Sequence, residues 1–366
     1  MREEIFGIGA TEALDTLIDD LHVRRIFLVC GKKSFEFSGA KEKILPYVQD
    51  KLYKIFVPTS NPTIELIIEG IKIYNKFKPD LTIAVGGGSI IDAAKAINAL
   101  ANQKDIFPYI IDNKCIDYDI NPLIAIPTTA GSGSEATKFA TIYVNRKKYS
   151  LESEKILPTV AIIDPSLTFS LPPYITAYTG LDALCQAIES YWAVNSTAES
   201  RKYAREAMKL AYKSIEKAIE NDKKARVAMS KAAFLSGKAI NISKTTACHS
   251  ISYPLTAHFN IPHGHAVALS MPEILEFNYD TRGAEFVNER IKEIFSILGF
   301  KDEKDAKKKF KKLIEKTVKK SRLRNFGIEK KDIEFILNES FTPSRMNNNP
   351  RKISKDNLKE ILRNIW

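Results

Sequence analysis

Residues 81–97 read LTIAVGGGSIIDAAKAI, and this stretch decides the fold class. It begins with an apolar run typical of a buried strand, continues through a glycine-rich turn, and ends with the spacing of a helix. Glycines let a backbone approach a ligand closely, and the amides that begin a helix favour an anion. A purely structural turn would need one glycine, so we predict a phosphate contact at Gly86, Gly87, Gly88 and Ser89. The spacing is neither GxGxxG nor the Walker pattern, so a standard Rossmann site and an ATPase are not indicated.

Further strands are predicted on both sides of this stretch. Runs rich in Ile, Val and Leu occur at RRIFLVC (24–30), YKIFVP (53–58), PLIAIP (122–127) and TVAIIDP (159–165). Amphipathic segments separate them, which predicts a mostly parallel sheet covered by helices. After three punctuating prolines, at 165, 172 and 173, the pattern becomes a long succession of helix-period runs. We predict an α/β nucleotide-binding domain over 1–165 and an all-α domain over 166–366.

The composition is that of a soluble globular protein, with 44% hydrophobic and 27% charged residues in 366. The net charge of +11 is concentrated in segments such as KDEKDAKKKFKKLIEKTVKKSRLRN (301–325). Such a run forms solvated helix faces, a nucleic-acid surface, or a field that steers an anionic small molecule. No helix-turn-helix, zinc-finger or aromatic RNA-binding signature accompanies the charge, so we expect no nucleic-acid partner.

Membrane and secretory classes are also disfavoured. No stretch approaches the ~20 apolar residues that span a bilayer, and the acidic start MREEIFGIGATEALDTLIDD lacks the apolar core of a signal peptide. The four cysteines are scattered without a CxxC pair, which suits reduced thiols. We expect a cytoplasmic protein.

Two other segments contain candidate site residues. IPTTAGSGSEAT (126–137) follows a predicted strand, and its hydroxyls and glycines can contact a nucleotide. TGLDALCQAIESYW (179–192) has the spacing of an amphipathic helix and places Asp182 and Gln186 on one face, one turn apart. His249 and His263 follow downstream in a proline-punctuated segment, whereas His258 alone is more simply a core or surface residue. Two imidazoles, a carboxylate and one further donor would suit Zn²⁺ or Fe²⁺.

The chain resembles the iron-containing (group III) alcohol dehydrogenase family in several motifs that occur in order. These are GGGSIIDAAKA, PTTAGSGSEAT, TGLDAL and a histidine, His249, that lies 14 residues before the histidine of PHG. The resemblance runs from FGIGA at 6–10 to residue 361. It implies the dehydroquinate synthase-like architecture, a homodimer, NADPH or NADH, and Fe²⁺ or another divalent metal. The implied metal ligands are Asp182, His249, His263 and, at the position of a fourth ligand, Gln186. The implied cofactor contacts, besides the glycine turn, are Gly31, Asn61, Asp92, Thr128, Thr129 and Ser132.

The chain departs from the family pattern at two positions. Gln186 replaces a histidine ligand, and it either binds the metal through its amide oxygen or leaves a site that holds metal poorly. Tyr253 stands where the family commonly has a second histidine, and it either takes part in proton relay or fills space near the nicotinamide. His265 is a further candidate for proton transfer.

Within the family, TGLDALCQAIESYWAVNST, HSISYPLT and IPHGHAVAL resemble the phosphonoacetaldehyde reductases. That resemblance implies reduction of a small anionic aldehyde, with Lys244 and Arg345 either binding the anion or lying solvated at the surface. The alternatives are another iron-type alcohol, polyol or glycerol-phosphate dehydrogenase, a dehydroquinate-synthase-like cyclase, and, in a different class, a basic nucleic-acid-binding protein.

The choice of nicotinamide cofactor depends on Gly31. In the family, an aspartate at this position commonly binds the adenosine ribose and repels the 2′-phosphate of NADP. Here glycine is followed by Lys32 and Lys33, which either pair with that phosphate or point into water. We expect NADPH to be accepted and preferred.

Overall fold

The structure, a computed structural model, describes residues 3–58, 62–279 and 285–366. The chain separates into two compact units, Met1–Leu171 and Pro172–Trp366. The first contains every described strand, and the described secondary structure of the second is helical. The predicted fold class, an α/β domain followed by an all-α domain, is confirmed. The predicted boundary between residues 165 and 166 stays a prediction.

A parallel sheet organises the first unit. The strands described there are β1 (Glu3–Phe6), β2 (Arg25–Cys30), β3 (Leu52–Phe56), β4 (Leu81–Gly86), β5 (Leu123–Pro127), β6 (Phe139–Val144), β7 (Lys147–Glu152) and β8 (Val160–Ile163). The sheet has the order β1-β8-β5-β4-β2-β3, and every neighbouring pair is parallel. The five strands predicted from the sequence are β2, β3, β4, β5 and β8, so those predictions are confirmed.

The antiparallel hairpin of β6 and β7 was not predicted from the sequence. Its two-residue turn, Asn145–Arg146, has φ values of 50° and 63°. A turn with positive φ at both positions matches the twist of a hairpin, and Asn-Gly is its usual sequence signal. Because arginine stands in place of glycine, that signal is absent here.

Helices cover both faces of the sheet. They are α1 (Leu14–Asp20), α2 (Lys32–Phe37), α3 (Ala40–Val48), α4 (Ile64–Phe77), α5 (Gly88–Leu100) and α6 (Phe107–Ile111). Successive side chains of β2 point to opposite faces, as a strand requires. Ile26 and Leu28 join a hydrophobic cluster with α1 and α3, whereas Phe27 and Val29 join another with α4 and α5.

Helices account for the second unit. They are α7 (Pro173–Trp192), α8 (Ala198–Ile219), α9 (Lys223–Ser243), α10 (Ala247–Phe259), α11 (His263–Asn278), α12 (Glu285–Leu298), α13 (Glu303–Val318), α14 (Asp332–Glu339), α15 (Pro343–Met346) and α16 (Lys355–Ile365). In the part of the chain that the structure describes, no helix is both long enough and apolar enough to cross a membrane.

Helix α7 is the centre of the second unit. Every residue from Gly180 to Trp192 is buried, because α8, α9 and α11 pack around this helix. The expectation of an amphipathic helix over 179–192 is therefore wrong, since neighbouring helices cover the polar face as well. A polar side chain in such a place needs a partner inside the protein.

A buried lysine holds the polar loop that follows β5. The Lys95 ammonium, on α5, donates to the carbonyl oxygens of Ser134 and Thr137 at 2.6 Å each, and to that of Phe139 at 3.1 Å. Burial lowers the pKa of Lys95 to about 8. The loop at 126–137 is thus anchored on α5 through a charged group without access to water.

Glu135 in the same loop makes stability depend on pH. Burial raises its pKa from the ordinary 4.5 to about 7, while its own backbone N–H and the Lys95 charge act in the opposite direction. A carboxyl group whose folded-state pKa is raised contributes stability that is present below the unfolded pKa and is lost as the pH rises through the folded pKa. Glu135→Gln should therefore abolish a decline of about 3 kcal/mol in the free energy of unfolding over that range.

Urea unfolding at about pH 4.5, 5.5 and 7.5 measures this decline. Glu69→Gln is the matched control, because Glu69 is an exposed carboxylate on α4 of the same unit. A decline of the same size in Glu135→Gln and in the control would contradict the assignment.

Candidate functional site

Three predicted metal ligands from three helices of the second unit converge. One ligand atom each of Asp182 on α7, His249 on α10 and His263 on α11 lies within 4.8 Å of the others. Asp182 is 5% exposed, His249 is 4% exposed and His263 is half-buried. A carboxylate and two imidazoles form a donor set suited to Fe²⁺ and Zn²⁺.

Gly264 allows α11 to approach α7 closely enough for this convergence. A Cβ atom at Gly264 would lie 2.0 Å from the backbone oxygen of Tyr178 and 2.7 Å from Cβ of Asp182. The backbone oxygen cannot move aside, so a larger residue would push the two helices apart. The glycine of the PHG motif is therefore required by helix packing, and it places His263 beside Asp182.

The ring of His249 lies between two buried carboxylates. Its Nε2 is 3.5 Å from Oδ1 of Asp182, and its Nδ1 contacts Oε2 of Glu189. Burial lowers the pKa of His249, but the Glu189 charge and the close approach of both carboxylates to the ring raise it, to about 9 overall. Among the described residues Nε2 makes no hydrogen bond, although it is buried. These surroundings stabilise a cation at Nε2, either a proton or a metal ion, so the residues fit the implied metal.

Gln186 lies one turn beyond Asp182 on α7 and is 4% exposed. Its Oε1 is 3.1 Å from the hydroxyl of Ser236 on α9, and that hydroxyl is 2.8 Å from the carbonyl oxygen of Ala233. A hydroxyl has one proton to donate, so it serves one of these two oxygens at a time. The carboxamide is held on the helix face that carries Asp182, and its role as a fourth ligand stays a prediction.

Tyr253 and Arg345 lie beside the three predicted metal ligands. The Tyr253 ring stacks on the His263 ring, with centroids 6.3 Å apart and planes inclined by 19°. Arg345, on the short helix α15, donates from Nε to the Tyr253 hydroxyl oxygen at 3.3 Å. The structure thus joins a predicted anion-binding residue to a predicted catalytic one, next to a predicted ligand.

The contacts of His265 favour a structural role. Its Nε2 lies 2.6 Å from the Lys320 carbonyl oxygen, and its ring meets that of Phe326 edge-on at 5.0 Å. A carbonyl oxygen only accepts, so Nε2 carries a proton and donates it there. Burial lowers the pKa of His265. Its catalytic role stays a prediction.

Lys244 follows the last residue of α9 and is half-buried, with a φ of 62°. The chain on either side of it is held by Asn348, whose amide donates to the carbonyl oxygens of Ser243 and Thr245 at 2.7 and 3.0 Å. These contacts position the backbone around Lys244. The predicted substrate contact of its side chain stays a prediction.

In the first unit, the two polar loops meet at the start of α5. A Cβ atom at Gly87 would lie 3.4 Å from the Thr129 side chain, and one at Gly88 would lie 2.4 Å from Oγ of Ser132. Gly87 is the N-cap residue of α5 and has an extended backbone. Because glycine has no side chain, no side chain caps the first turn of the helix. Backbone amides at such a helix start favour an anion. The arrangement suits the predicted phosphate contact of Gly86–Ser89.

Asp92 and Thr128 lie deeper in the same region. The Asp92 carboxylate accepts from the Ser134 hydroxyl at 2.5 Å and from the backbone N–H of Thr141 at 2.9 Å. It therefore holds the loop in place, and direct contact with a cofactor stays a prediction. Thr128 is buried, and within the described ranges its hydroxyl has no hydrogen-bond partner.

Gly31 is the residue immediately before α2, with an extended backbone. Its N–H donates to the carbonyl oxygen of Val85 at 3.3 Å, which places it beside the strand that leads into the glycine turn. A Cβ atom at Gly31 would lie 2.3 Å from Oγ of Ser34. Lys32 and Lys33 are both exposed. Asn61, also predicted to contact the cofactor, lies outside the described residues.

Glu189, which contacts His249, was not predicted from the sequence as a site residue. This residue lies on α7 two turns after Asp182 and is fully buried. The spacing of Asp182, Gln186 and Glu189, at i, i+4 and i+7, places all three on one helix face and could have revealed it. An exposed helix can show the same spacing of polar residues, so the spacing indicates a buried polar site only when the helix is known to be buried.

Comparison with family models gives two matches that together cover most of the chain. Residues 2–165 match the model described as iron-containing alcohol dehydrogenase. Residues 176–366 match the model described as the C-terminal part of the Fe-containing alcohol dehydrogenase family. The two matches correspond to the α/β and the helical unit.

Individual relatives cover much of the chain or all of it. The chain is 31% identical to an NADPH-dependent butanol dehydrogenase of Clostridium saccharobutylicum, over 100% of this chain and 96% of that protein. It is 32% identical to the phosphonoacetaldehyde reductase of Streptomyces viridochromogenes, over 78% of this chain and 76% of that protein. The crystal structure of sulfoacetaldehyde reductase from Bifidobacterium kashiwanohense in complex with NAD+ has a TM-score of 0.91 and 29% identity, over 99% of this chain and 96% of that one.

Proposed function

The chain belongs to the iron-containing alcohol dehydrogenase family, and on that premise we propose that it reduces a small anionic aldehyde to a primary alcohol. As a family member it is an NAD(P)-dependent oxidoreductase of the alcohol dehydrogenase type. The proposed reaction is phosphonoacetaldehyde to 2-hydroxyethylphosphonate. The observation that carries the proposal is the convergence of Asp182, His249 and His263 beside a tyrosine–arginine pair.

Asp182, His249 and His263 would hold the metal, with the Gln186 carboxamide as a fourth donor. Fe²⁺ is the metal of the family, and Zn²⁺ accepts the same donors. When bound, the metal is a Lewis acid that polarises the aldehyde carbonyl and stabilises the developing alkoxide, and the dihydronicotinamide supplies the hydride. The protein's part is to orient the ligands, to bind the substrate tail and to provide the proton.

The cofactor pyrophosphate would lie against the start of α5. The amides of Gly87, Gly88 and Ser89 offer donors there, and the side chains of Thr129 and Ser132 border the same turn. Lys95 and Asp92 act indirectly, by holding the loop that carries these hydroxyl groups. The adenosine ribose would lie near Gly31, at the end of the neighbouring strand β2.

The names of two relatives support the substrate class. Phosphonoacetaldehyde and sulfoacetaldehyde each carry a tetrahedral anion one carbon away from the aldehyde carbon. In this chain, the Arg345 guanidinium reaches the Tyr253 hydroxyl next to the His263 ring. A guanidinium binds a phosphonate or sulfonate through charge-assisted hydrogen bonds. Arg345 is therefore the proposed anion-binding residue.

Tyr253 is the proposed proton donor for the alkoxide. Its oxygen accepts a hydrogen bond from Nε of Arg345, so the phenolic proton points away from the guanidinium. Once that proton has left, the positive charge of Arg345 stabilises the phenolate that remains. Tyr253 thus stands where the family pattern has a histidine, and its hydroxyl group can donate a proton from the same helix position.

We also propose a cytoplasmic homodimer. The four cysteines are free, which suits a reducing compartment. The dimer follows from the family resemblance.

His263→Ala should remove both the bound metal and the turnover, because the cluster loses one of its two imidazoles. Gln186→His should raise metal affinity, because imidazole is a stronger donor than a carboxamide. Elemental analysis and phosphonoacetaldehyde reduction, measured on the same preparations, check both changes. His258→Ala is the matched control, since His258 packs against Phe335 and should leave both quantities unchanged. Undiminished turnover by a metal-free preparation would contradict the proposal.

Arg345→Ala should raise KM for phosphonoacetaldehyde about 10- to 100-fold and leave KM for acetaldehyde nearly unchanged, because it removes one charge-assisted contact. Arg345→Lys should recover part of the loss, since the charge remains. Tyr253→Phe removes the partner of Arg345 and should lower kcat with both aldehydes. Equal kcat/KM of the unmodified enzyme for phosphonoacetaldehyde, butyraldehyde and acetaldehyde would exclude the anionic substrate class.

Gly31→Asp should shift the cofactor preference from NADPH toward NADH, chiefly through KM for NADPH, because a carboxylate repels the 2′-phosphate. The backbone of Gly31 is extended, with φ −78° and ψ 133°, so aspartate fits there and can also cap α2. Its Cβ would crowd the Ser34 hydroxyl, so the substitution is best made together with Ser34→Ala, and Ser34→Ala alone is the control. A kcat/KM at least tenfold higher with NADH for the unmodified protein would show that the Gly31 turn has been misinterpreted.

A further inference from the structure

Glu189 connects the central helix to the helix that carries His249. It lies on α7, its side chain is fully buried, and its two carboxylate oxygens contact different groups on α10. We propose that Glu189 is a positioning residue of the metal centre: it fixes the proton of His249 on Nδ1 and thereby leaves the Nε2 lone pair for the metal. This inference rests on the proposed function, because it concerns the same metal site.

Oε1 of Glu189 organises the first turn of α10. It accepts hydrogen bonds from the backbone N–H and the hydroxyl of Thr246, at 3.2 and 2.8 Å, and from the backbone N–H of Cys248 at 2.8 Å. The N–H of His249 lies 3.4 Å away. Thr246 is the N-cap residue and its side chain does not cap the helix, so a carboxylate from α7 supplies the missing acceptor. The backbone that carries His249 is thus tied directly to α7.

A chain of hydrogen bonds fixes the direction of the Thr246 hydroxyl. Its oxygen accepts from the indole N–H of Trp192 at 2.9 Å, and its proton goes to Oε1 of Glu189 at 2.8 Å. Indole N–H groups only donate, and a carboxylate only accepts. Every donor around Oε1 therefore points toward Glu189, so this oxygen acts only as an acceptor.

Oε2 of Glu189 acts on the imidazole itself. It contacts Nδ1 of His249, and since an ionised carboxylate only accepts, Nδ1 must carry the proton. A neutral imidazole with its proton on Nδ1 has its lone pair on Nε2. That nitrogen is the one 3.5 Å from Oδ1 of Asp182, inside the cluster. Carboxylates that orient metal-bound histidines in this way commonly change metal affinity 10- to 100-fold when they are removed.

Glu189→Gln separates helix capping from proton placement. The carboxamide keeps a carbonyl oxygen for the N–H groups of α10, but it presents an NH₂ group to Nδ1 of His249. Because an NH₂ group donates, Nδ1 must then accept, and the His249 proton moves to Nε2, where it blocks the metal. Thr246→Val is the matched control, because it removes one donor to Oε1 and leaves Oε2 in contact with the imidazole.

Co²⁺ titration of the metal-free proteins, by calorimetry and by visible absorption, measures metal affinity, while thermal unfolding of the same metal-free samples measures stability. We expect Glu189→Gln to bind Co²⁺ about 10- to 100-fold more weakly than the unmodified protein. We expect Thr246→Val to lose thermal stability and keep its Co²⁺ affinity. Wild-type Co²⁺ affinity in Glu189→Gln would overturn the inference while leaving the metal-dependent function intact, whereas an unmodified protein that binds no Co²⁺ would overturn the proposed function itself.

A measurement on the unmodified protein keeps the inference testable if Glu189→Gln does not fold. In the Zn²⁺-loaded protein labelled with ¹⁵N at histidine, the His249 signals, identified by their loss in His249→Asn, should show a proton on Nδ1 and metal on Nε2. A proton on Nε2 with Nδ1 bound to the metal would overturn the inference.

Discussion

The second unit depends on one interaction, the contact of the His249 imidazole with the carboxylates of Asp182 and Glu189. Both carboxylates come from α7, a helix with neighbours on all sides from Gly180 to Trp192. Charges without access to water must be compensated within the protein, and a cation at His249 compensates both. That requirement ties α10, which carries His249, to α7.

A buried charge also holds the first unit together, but there the charge is positive. Lys95 brings a positive charge into the interior, and the carbonyl groups of the loop after β5 fold around it. Asp92 completes the anchor by accepting from the Ser134 hydroxyl of that loop and from the backbone N–H of Thr141 on β6. In each unit, a loop or helix that contains predicted site residues is fixed by a buried charge on a neighbouring helix.

Signals that are local in the sequence predicted the fold well. The five strands, the glycine turn before α5 and the helical second unit each show in a short window of residues. Asp182, His249 and His263 could be predicted as a group because their motifs are distinctive, and the structure places the three together. The hairpin of β6 and β7 was missed because Arg146 takes the position where glycine marks such turns.

Relations between distant segments could not be predicted in this way. The pairing of Tyr253 with Arg345 joins positions far apart in the chain, and no periodicity indicates it. Glu189 shares its helix face with Asp182, but its importance becomes visible only when α7 is known to be buried. The contact of the His265 ring nitrogen with the Lys320 carbonyl oxygen likewise joins distant segments, and the sequence gives no sign of it.

Anomalous X-ray scattering on either side of the iron absorption edge tests the central claim most directly. The crystals should come from protein purified without oxygen from cells supplied with iron. We expect one anomalous peak per chain, within coordination distance of Asp182, His249 and His263, and its distance to the Gln186 carboxamide would settle the fourth ligand. Fully loaded protein whose only iron peak lies elsewhere, with these three side chains joined to one another by hydrogen bonds alone, would contradict the claim.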